Sequence, residues 1–314
     1  NDRLGNYADA IADYKKAIEL DPYDPDLHIA LGSTRLHLNE FESAILCFDT
    51  ALIIKPDNSD AYINRGVAKR YLELYDEALD DLNKAVYYDF FNIEAIVRRG
   101  ILYMEQNKYQ EAMADLTNAL DMDGDNPIIY FNRGTVLLNM GDTISALKDY
   151  ERVNNLDERN ALTYFNRAII YSMLKENDIA LALYNKVIEY GDFKGNEVVL
   201  DLYCGVGTLS IVASVNASNV LGVEIVENAI IDANLNKNFN RRSNVNFICA
   251  DTKDILNEIT DELDTIILDP PRSGVTKNVL DKIIEEKPSK IIYVSCDPNT
   301  LARDLKLLEN NYEM

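Results

Sequence analysis

The chain has 314 residues, 47% of them hydrophobic, with 13 glycines and 8 prolines; this supports two packed domains and excludes a fibrous or disordered chain. A net charge of −22 argues against gripping nucleic acid by charge alone, and neither half is a basic clamp: residues from Asp192 onward carry 20 acidic and 12 basic side chains, those before it 33 and 19. No apolar run approaches the roughly 20 residues that span a bilayer, no signal-peptide pattern opens the chain, and the four cysteines (Cys47, Cys204, Cys249, Cys296) form no CxxC pair, so membrane insertion and zinc-ribbon or dithiol chemistry are not expected and a reducing cytoplasm is.

The first part is periodic. Ala10, Ala44, Ala78, Ala112, Ala146 and Ala180 are spaced by 34 residues; Gly32, Gly66, Gly100 and Gly134 keep the same interval. A bulky residue follows each alanine by four: Tyr14, Phe48, Leu82, Leu116, Tyr150 and Tyr184. Each period reads as two amphipathic helices. The first holds a small residue where helices approach closely, and the second presents alanine and the bulky residue on one face. Segments such as LDPYDP and IKPDNSD supply the residues that end helices.

This pattern resembles the tetratricopeptide repeat: five full units preceded by the second helix of another. The array is expected over residues 1–182, and its register runs on to about residue 192. The resemblance implies a concave surface for a protein or peptide, the alternative being a spacer. Asn64, Asn132 and Asn166 recur on the first helices, either to clamp a peptide backbone or to pack the repeat. Because the chain opens inside a repeat without a polar capping helix, Asn1 is not the expected natural start.

After Gly195 strands alternate with helices. EVVLDLYCGVGTLSIVA is a strand, a Gly-rich turn and a helix; the next strands end at Glu224, Asp251, Asp269 and Cys296, with helices over roughly 227–238, 252–260, 278–286 and 299–309. This alternation predicts a parallel, doubly wound sheet with its ligand at the carboxyl ends of the strands. The loop has Gly205 and Gly207 but not the third glycine of a dinucleotide fingerprint, and there is no GK[ST] for a P-loop. Asp201-x-x-x-Gly205-x-Gly207, with an acid ending the second strand, is the pattern of an S-adenosyl-L-methionine site. The glycines let backbone approach the ligand, and the acid can accept both ribose hydroxyls.

Four segments, DLYCGVGT, GVEIV, LDPPRSG and YVSCDPNTLARDL, resemble the RNA 5-methyluridine (uracil-C5) methyltransferase family, which modifies uridines in ribosomal and transfer RNA. The resemblance covers about residues 183–314 and implies a Rossmann-like class I methyltransferase domain behind the helical solenoid, with RNA as substrate. It implies that Tyr203, Glu224, Asp251 and Asp269 hold S-adenosyl-L-methionine, and that Cys296 is the nucleophile. The chemistry gives the thiol a reason. Carbon 5 of uracil is a poor nucleophile, and thiolate addition at carbon 6 makes an enolate that can take the methyl group. The base must be flipped or unpaired to reach the site. Asp269, Pro270, Pro271 and Arg272 would form the wall where it docks, and Arg272, standing where amino-methylating enzymes usually place an aromatic, argues against that chemistry. Cys47 and Cys249 read as small buried hydrophobes, Cys204 as packing within the loop, and Asp201 as a residue that orients the loop.

Three departures from the family are visible. No counterpart of its later His- and Glu-containing motif, whose glutamate is the base, follows. Helical repeats stand where its β-barrel and central subdomain precede the catalytic domain, and Ile179 stands where it has a glutamine near the cofactor. The chain alone is therefore expected to add to uracil without completing turnover. LYNKVIEYGDFKGNEVVLD serves both registers, so one helix closes the array and leads into the second domain. Two other readings remain at this stage: a repeat scaffold carrying an inactive methyltransferase remnant, and a class I methyltransferase with a small-molecule substrate.

Overall fold

The computed structural model describes residues 7–158, 160–189, 193–256, 259, 263–271, 273–294, 298–309 and 311–312, without the side chains of 161, 188, 298, 299 and 302. The chain forms two compact units, Asn1–Leu156 and Asp157–Met314.

In the first unit α1 (Tyr7–Leu20) precedes four helical hairpins. They are α2 (Pro25–His37) with α3 (Phe41–Ile54), α4 (Ser59–Tyr71) with α5 (Tyr75–Tyr88), α6 (Ile93–Glu105) with α7 (Tyr109–Met122), and α8 (Pro127–Asn139) with α9 (Thr143–Leu156). The repeat is written into the helix ends as well as the faces. Asp24, Asn58, Asn92 and Asn126 cap the first helices, each side chain accepting a backbone N–H from the first turn. Asn39, Glu73, Asn107 and Gly141, at the same interval, turn the chain with positive φ. The next N–H returns to the helix, as in Lys108 to Tyr103 O at 2.8 Å.

Every repeated alanine described in this unit is buried, and the bulky partner explains the glycine: a Cβ on Gly32 would lie 2.5 Å from the Phe48 ring, and one on Gly134 2.9 Å from Tyr150. An ion-pair series links the hairpins internally. Arg65 grips Asp81, Arg99 grips Asp115 and Arg133 grips Asp149, each through two hydrogen bonds of 2.6–2.9 Å; all three carboxylates are buried. Asn132 is also buried and donates to Ile128 O of its own helix at 2.8 Å, which makes it a packing residue.

The second unit begins with α10 (Ala161–Met173) and α11 (Asn177–Glu189), a fifth hairpin in repeat register, its cap Asn160 and its positive-φ residue Lys175 included. Among the described residues five parallel strands follow: β1 (Val198–Leu202), β2 (Asn219–Glu224), β3 (Val245–Cys249), β4 (Thr265–Leu268) and β5 (Lys290–Tyr293), in the order β3-β2-β1-β4-β5. Between them lie α12 (Thr208–Ala213), α13 (Glu227–Phe239), α14 (Thr252–Ile255) and α15 (Lys277–Glu286), and α16 (Pro298–Leu308) follows β5.

Alternate strand residues face opposite cores. Val199, Val220, Ile267 and Ile292 pack with α12 and with Leu162, Phe165, Tyr184 and Val187 of the repeat-like hairpin; Leu200, Leu202, Ile266 and Leu268 pack with Val279, Leu280 and Ile283 of α15 and Leu308 of α16. The hairpin that closes the repeat register is thus a covering layer of the sheet, so one helix pair satisfies both sequence patterns. Cys249 departs from expectation: it is exposed, because β3 is the sheet edge and its last two residues face solvent. Cys47 and Cys204 are buried as expected. Among the described residues, no helix is long and apolar enough to cross a membrane.

Candidate functional site

Leu202 pairs with Val223 on one side and Leu268 on the other, and Leu268 pairs with Tyr293. The next rung, at the carboxyl ends, therefore carries Tyr203, Glu224, Asp269 and Val294. Asp251 follows β3 and caps α14, accepting Lys253 N–H at 3.0 Å, a bond that holds its carboxyl below the usual range. The topology brings the four expected ligand residues to one end of the sheet. Cys296 and Arg272 lie outside the described residues; in the sequence Cys296 is two residues beyond Val294, whose N–H donates to Leu268 O at 2.7 Å.

The loop after β1 is shaped for close approach. Tyr203 has φ +67°, the one positive-φ non-glycine here that does not follow a helix among the described residues; for an aromatic residue this is a strained backbone of the kind found at binding sites. Its hydroxyl accepts a hydrogen bond from Thr252 Oγ1 at 3.3 Å, tying the β1 loop to α14. Gly207 has φ +79°, and a Cβ there would run into the Phe247 ring. Glu224 reaches back under the loop, accepting Gly205 N–H at 3.2 Å and Val226 N–H at 3.0 Å. Those two bonds leave lone pairs on its carboxylate for a ligand.

Charge gives the site its character. Asp201 is fully buried on β1; Ser210 Oγ donates to its Oδ2 at 2.5 Å, and its Oδ1 has no partner among the described residues. Burial pushes its carboxyl up to about 7, and neighbouring Asp269 and Glu224 add to the rise. Asp269 is also pushed up to about 7 by burial. The acids around the Gly-rich loop, where ionised, repel a phosphate and attract a cation, and where protonated can still hydrogen-bond, so the donor set fits a positively charged ligand with hydroxyls to donate and disfavours a dinucleotide.

A second feature escaped the sequence reading. Asp304 on α16, fully buried, accepts Val275 N–H at 2.8 Å and the Tyr293 hydroxyl at 2.5 Å, while Arg303 donates to it at 2.7 Å and to Ser273 O at 3.0 Å. The Arg-Asp pair of TLARDL thereby fastens the loop after Asp269-Pro270-Pro271 to the end of β5. Ser210, nine residues after Asp201, was also missed; only its spacing from the strand acid could have marked it.

Comparison with known proteins agrees with both halves. Tetratricopeptide repeat models match residues 3–69, 100–141, 59–92 and 128–160. The Pseudomonas aeruginosa pilF structure is 19% identical with a TM-score of 0.54, covering 60% of this chain and 86% of that one. The APC/C hetero-tetramer Cut9-Hcn1 is 17% identical with a TM-score of 0.53, covering 61% and 38%. Both likenesses concern the fold. An uncharacterized RNA methyltransferase of Clostridium tetani is 49% identical over 110 residues, 34% of this chain and 24% of that one. One from Thermotoga maritima is 44% identical over 113 residues, 36% and 26%. The chain spans about a quarter of the length of these relatives. The model described as tRNA (Uracil-5-)-methyltransferase matches residues 149–314, more than half of the chain, and the chain belongs to that family.

Proposed function

We propose that the second unit is the cofactor- and uracil-binding part of an RNA uracil-C5 methyltransferase, acting on a uridine of transfer or ribosomal RNA in the cytoplasm, and that the repeats bind a protein or peptide. The observation that carries this reading is the convergence of Tyr203, Glu224 and Asp269 on one rung, with Asp251 after the neighbouring strand and Asp201 Oδ1 buried without a partner among the described residues. S-adenosyl-L-methionine, when bound, supplies an electrophilic methyl group. Glu224 would accept its ribose hydroxyls, Tyr203 and Asp251 would flank the adenosine, and Asp269 would meet its cationic end.

Cys296 would add as thiolate to carbon 6 of the uracil, moving an electron pair to carbon 5, where the methyl group is received. The loop from Asp269 to Val275, fastened by Asp304, would stand against the base. Calorimetric titration with S-adenosyl-L-methionine tests the first half of the reading. Stoichiometric binding that is lost in Glu224→Gln is expected. Heat-silent titration would leave a repeat scaffold carrying an inactive domain, and cofactor binding without any capture of uridine-containing RNA would point to a small-molecule substrate.

A further inference from the structure

The connection between α5 and α6 breaks the chemistry of its equivalents. Connections spaced by 34 residues read Asp21-Pro22-Tyr23-Asp24, Lys55-Pro56-Asp57-Asn58, Asp89-Phe90-Phe91-Asn92 and Asp123-Gly124-Asp125-Asn126. Only the third places two phenylalanines side by side. They are 60% and 75% exposed, their rings edge to face with centroids 5.1 Å apart. Tyr87, 81% exposed, lies edge-on to Tyr88 at 5.2 Å, and Tyr88 stacks on Tyr62 of α4 at 5.7 Å. The two tyrosines therefore rest on a packed helix pair. At matching positions of the two preceding connections, Ile53, Leu20 and Tyr23 are also exposed, so apolar side chains recur at these connections in three repeats. The repeat does not need these rings, since the fourth connection holds the same backbone with glycine and aspartate. Leaving each ring in water forgoes about 2 kcal/mol of burial, and contiguous exposed apolar surface marks an interaction site.

The border of this ridge of rings states what would cover it. Ser59 Oγ donates to Ala85 O at 3.1 Å, bringing the Asp57–Asp60 turn to the end of α5. Asp57 and Asp60 are exposed and have no ion-pair partner among the described residues. A second copy of this chain would set these carboxylates against their own kind, each chain carrying −22, and RNA would be repelled likewise. We propose that this ridge docks a partner segment in which lysine or arginine alternates with apolar side chains. The apolar groups and the cation faces pack on the rings, and Asp57 and Asp60 pair with the charges. The inference is independent of the reading of the second unit.

Fluorescence anisotropy of the full chain with a labelled amphipathic peptide of leucine and lysine tests it, with the leucine–glutamate counterpart as control. The lysine peptide binds and the glutamate peptide does not. Phe90→Ser with Phe91→Ser weakens binding about tenfold or more, and Tyr87→Ser alone weakens it less. Asp57→Asn with Asp60→Asn flattens the salt dependence. The phenylalanine variant leaves the net charge intact, so undiminished affinity in it would mean diffuse attraction and overturn the proposal, as would no binding to the unaltered chain. Self-association in sedimentation that disappears in the same variant would overturn it in favour of a second copy. An unchanged thermal transition shows that the variant is folded.

Discussion

The two units use sequence in opposite ways. In the array each important position recurs: the alanines, the glycines beneath bulky residues, the capping Asn or Asp, and the Arg–Asp pairs. In the sheet unit the important positions occur once, each at a different strand end: Tyr203, Glu224, Asp251, Asp269 and, by resemblance, Cys296. A stacked repeat buries its faces against its neighbours and spreads its stability over many similar contacts. A site at strand ends gathers unlike residues that no other position can replace. The difference teaches where a single substitution should be decisive and where it should be incremental.

The largest effect is therefore expected in the sheet unit. Cys296→Ser should abolish covalent capture of an RNA containing 5-fluorouridine in the presence of S-adenosyl-L-methionine, a loss of about a thousandfold or more, because an alcohol is not ionised near neutral pH. Denaturing gel electrophoresis of the adduct reads this directly, and thermal unfolding should be unchanged. Persistent adduct in the variant would remove Cys296 from the nucleophile role and erase the contrast between unique and repeated positions.

In the array, Arg99→Ala should destabilise by about 3 kcal/mol, since it leaves the Asp115 carboxylate buried without its two donors. The equivalent change at Arg133 should fall in the same range if the ladder is periodic, whereas Arg65→Ala should cost less, because Asp81 keeps Lys69 at 2.9 Å. Replacing the pair together, Arg99→Met with Asp115→Leu, should recover most of the loss. Chemical denaturation followed by circular dichroism measures each of these variants. A much larger effect at one rung than at the others would mean that one repeat carries special weight.

The acid groups of the site sharpen the comparison through pH. With Asp269 raised to about 7 by burial, the folded chain holds a proton that the unfolded carboxyl releases near 4. Stability of the free chain should thus decline as pH rises from about 4 to about 7. A cationic ligand prefers the ionised acid, so cofactor affinity should move the other way, weakening up to about tenfold per pH unit below 7. Asp269→Asn should reduce that dependence, the remainder belonging to Asp201, which burial also raises to about 7, and lower affinity at pH 8. Calorimetry across this range would refute the assignment if affinity proved independent of pH.

Periodic positions were the most legible in the sequence, because alanine, glycine and the bulky residue leave marks at fixed intervals. The turns were less so: Glu73 and Lys175 adopt positive φ although neither residue favours it, and only the repeat forces them there. At the site, strand-end acids could be read from the βα alternation, whereas Ser210 and Asp304 could not. Their roles depend on partners, Asp201 in one case and Val275 and Tyr293 in the other, that only the fold brings near. Cys249 failed for a related reason. Its alternating neighbours suggest a covered strand, but strand order put β3 at the edge.

That edge position supports the smallest prediction. Cys249→Ser should change stability by less than about 0.5 kcal/mol, since the thiol is exposed and donates only a weak S–H bond, to Ile225 O at 3.5 Å, which a hydroxyl can replace. Cys47→Ser, in the array, should cost about 1–2 kcal/mol, because a hydroxyl replaces a sulfur that α3 buries and whose ionisation burial already opposes. Alkylation with a maleimide reagent provides an independent check: Cys249 should react readily in the folded chain and Cys47 only on unfolding. If Cys249 proved as slow as Cys47, the end of β3 would have to be covered in solution, and the edge position would not expose it.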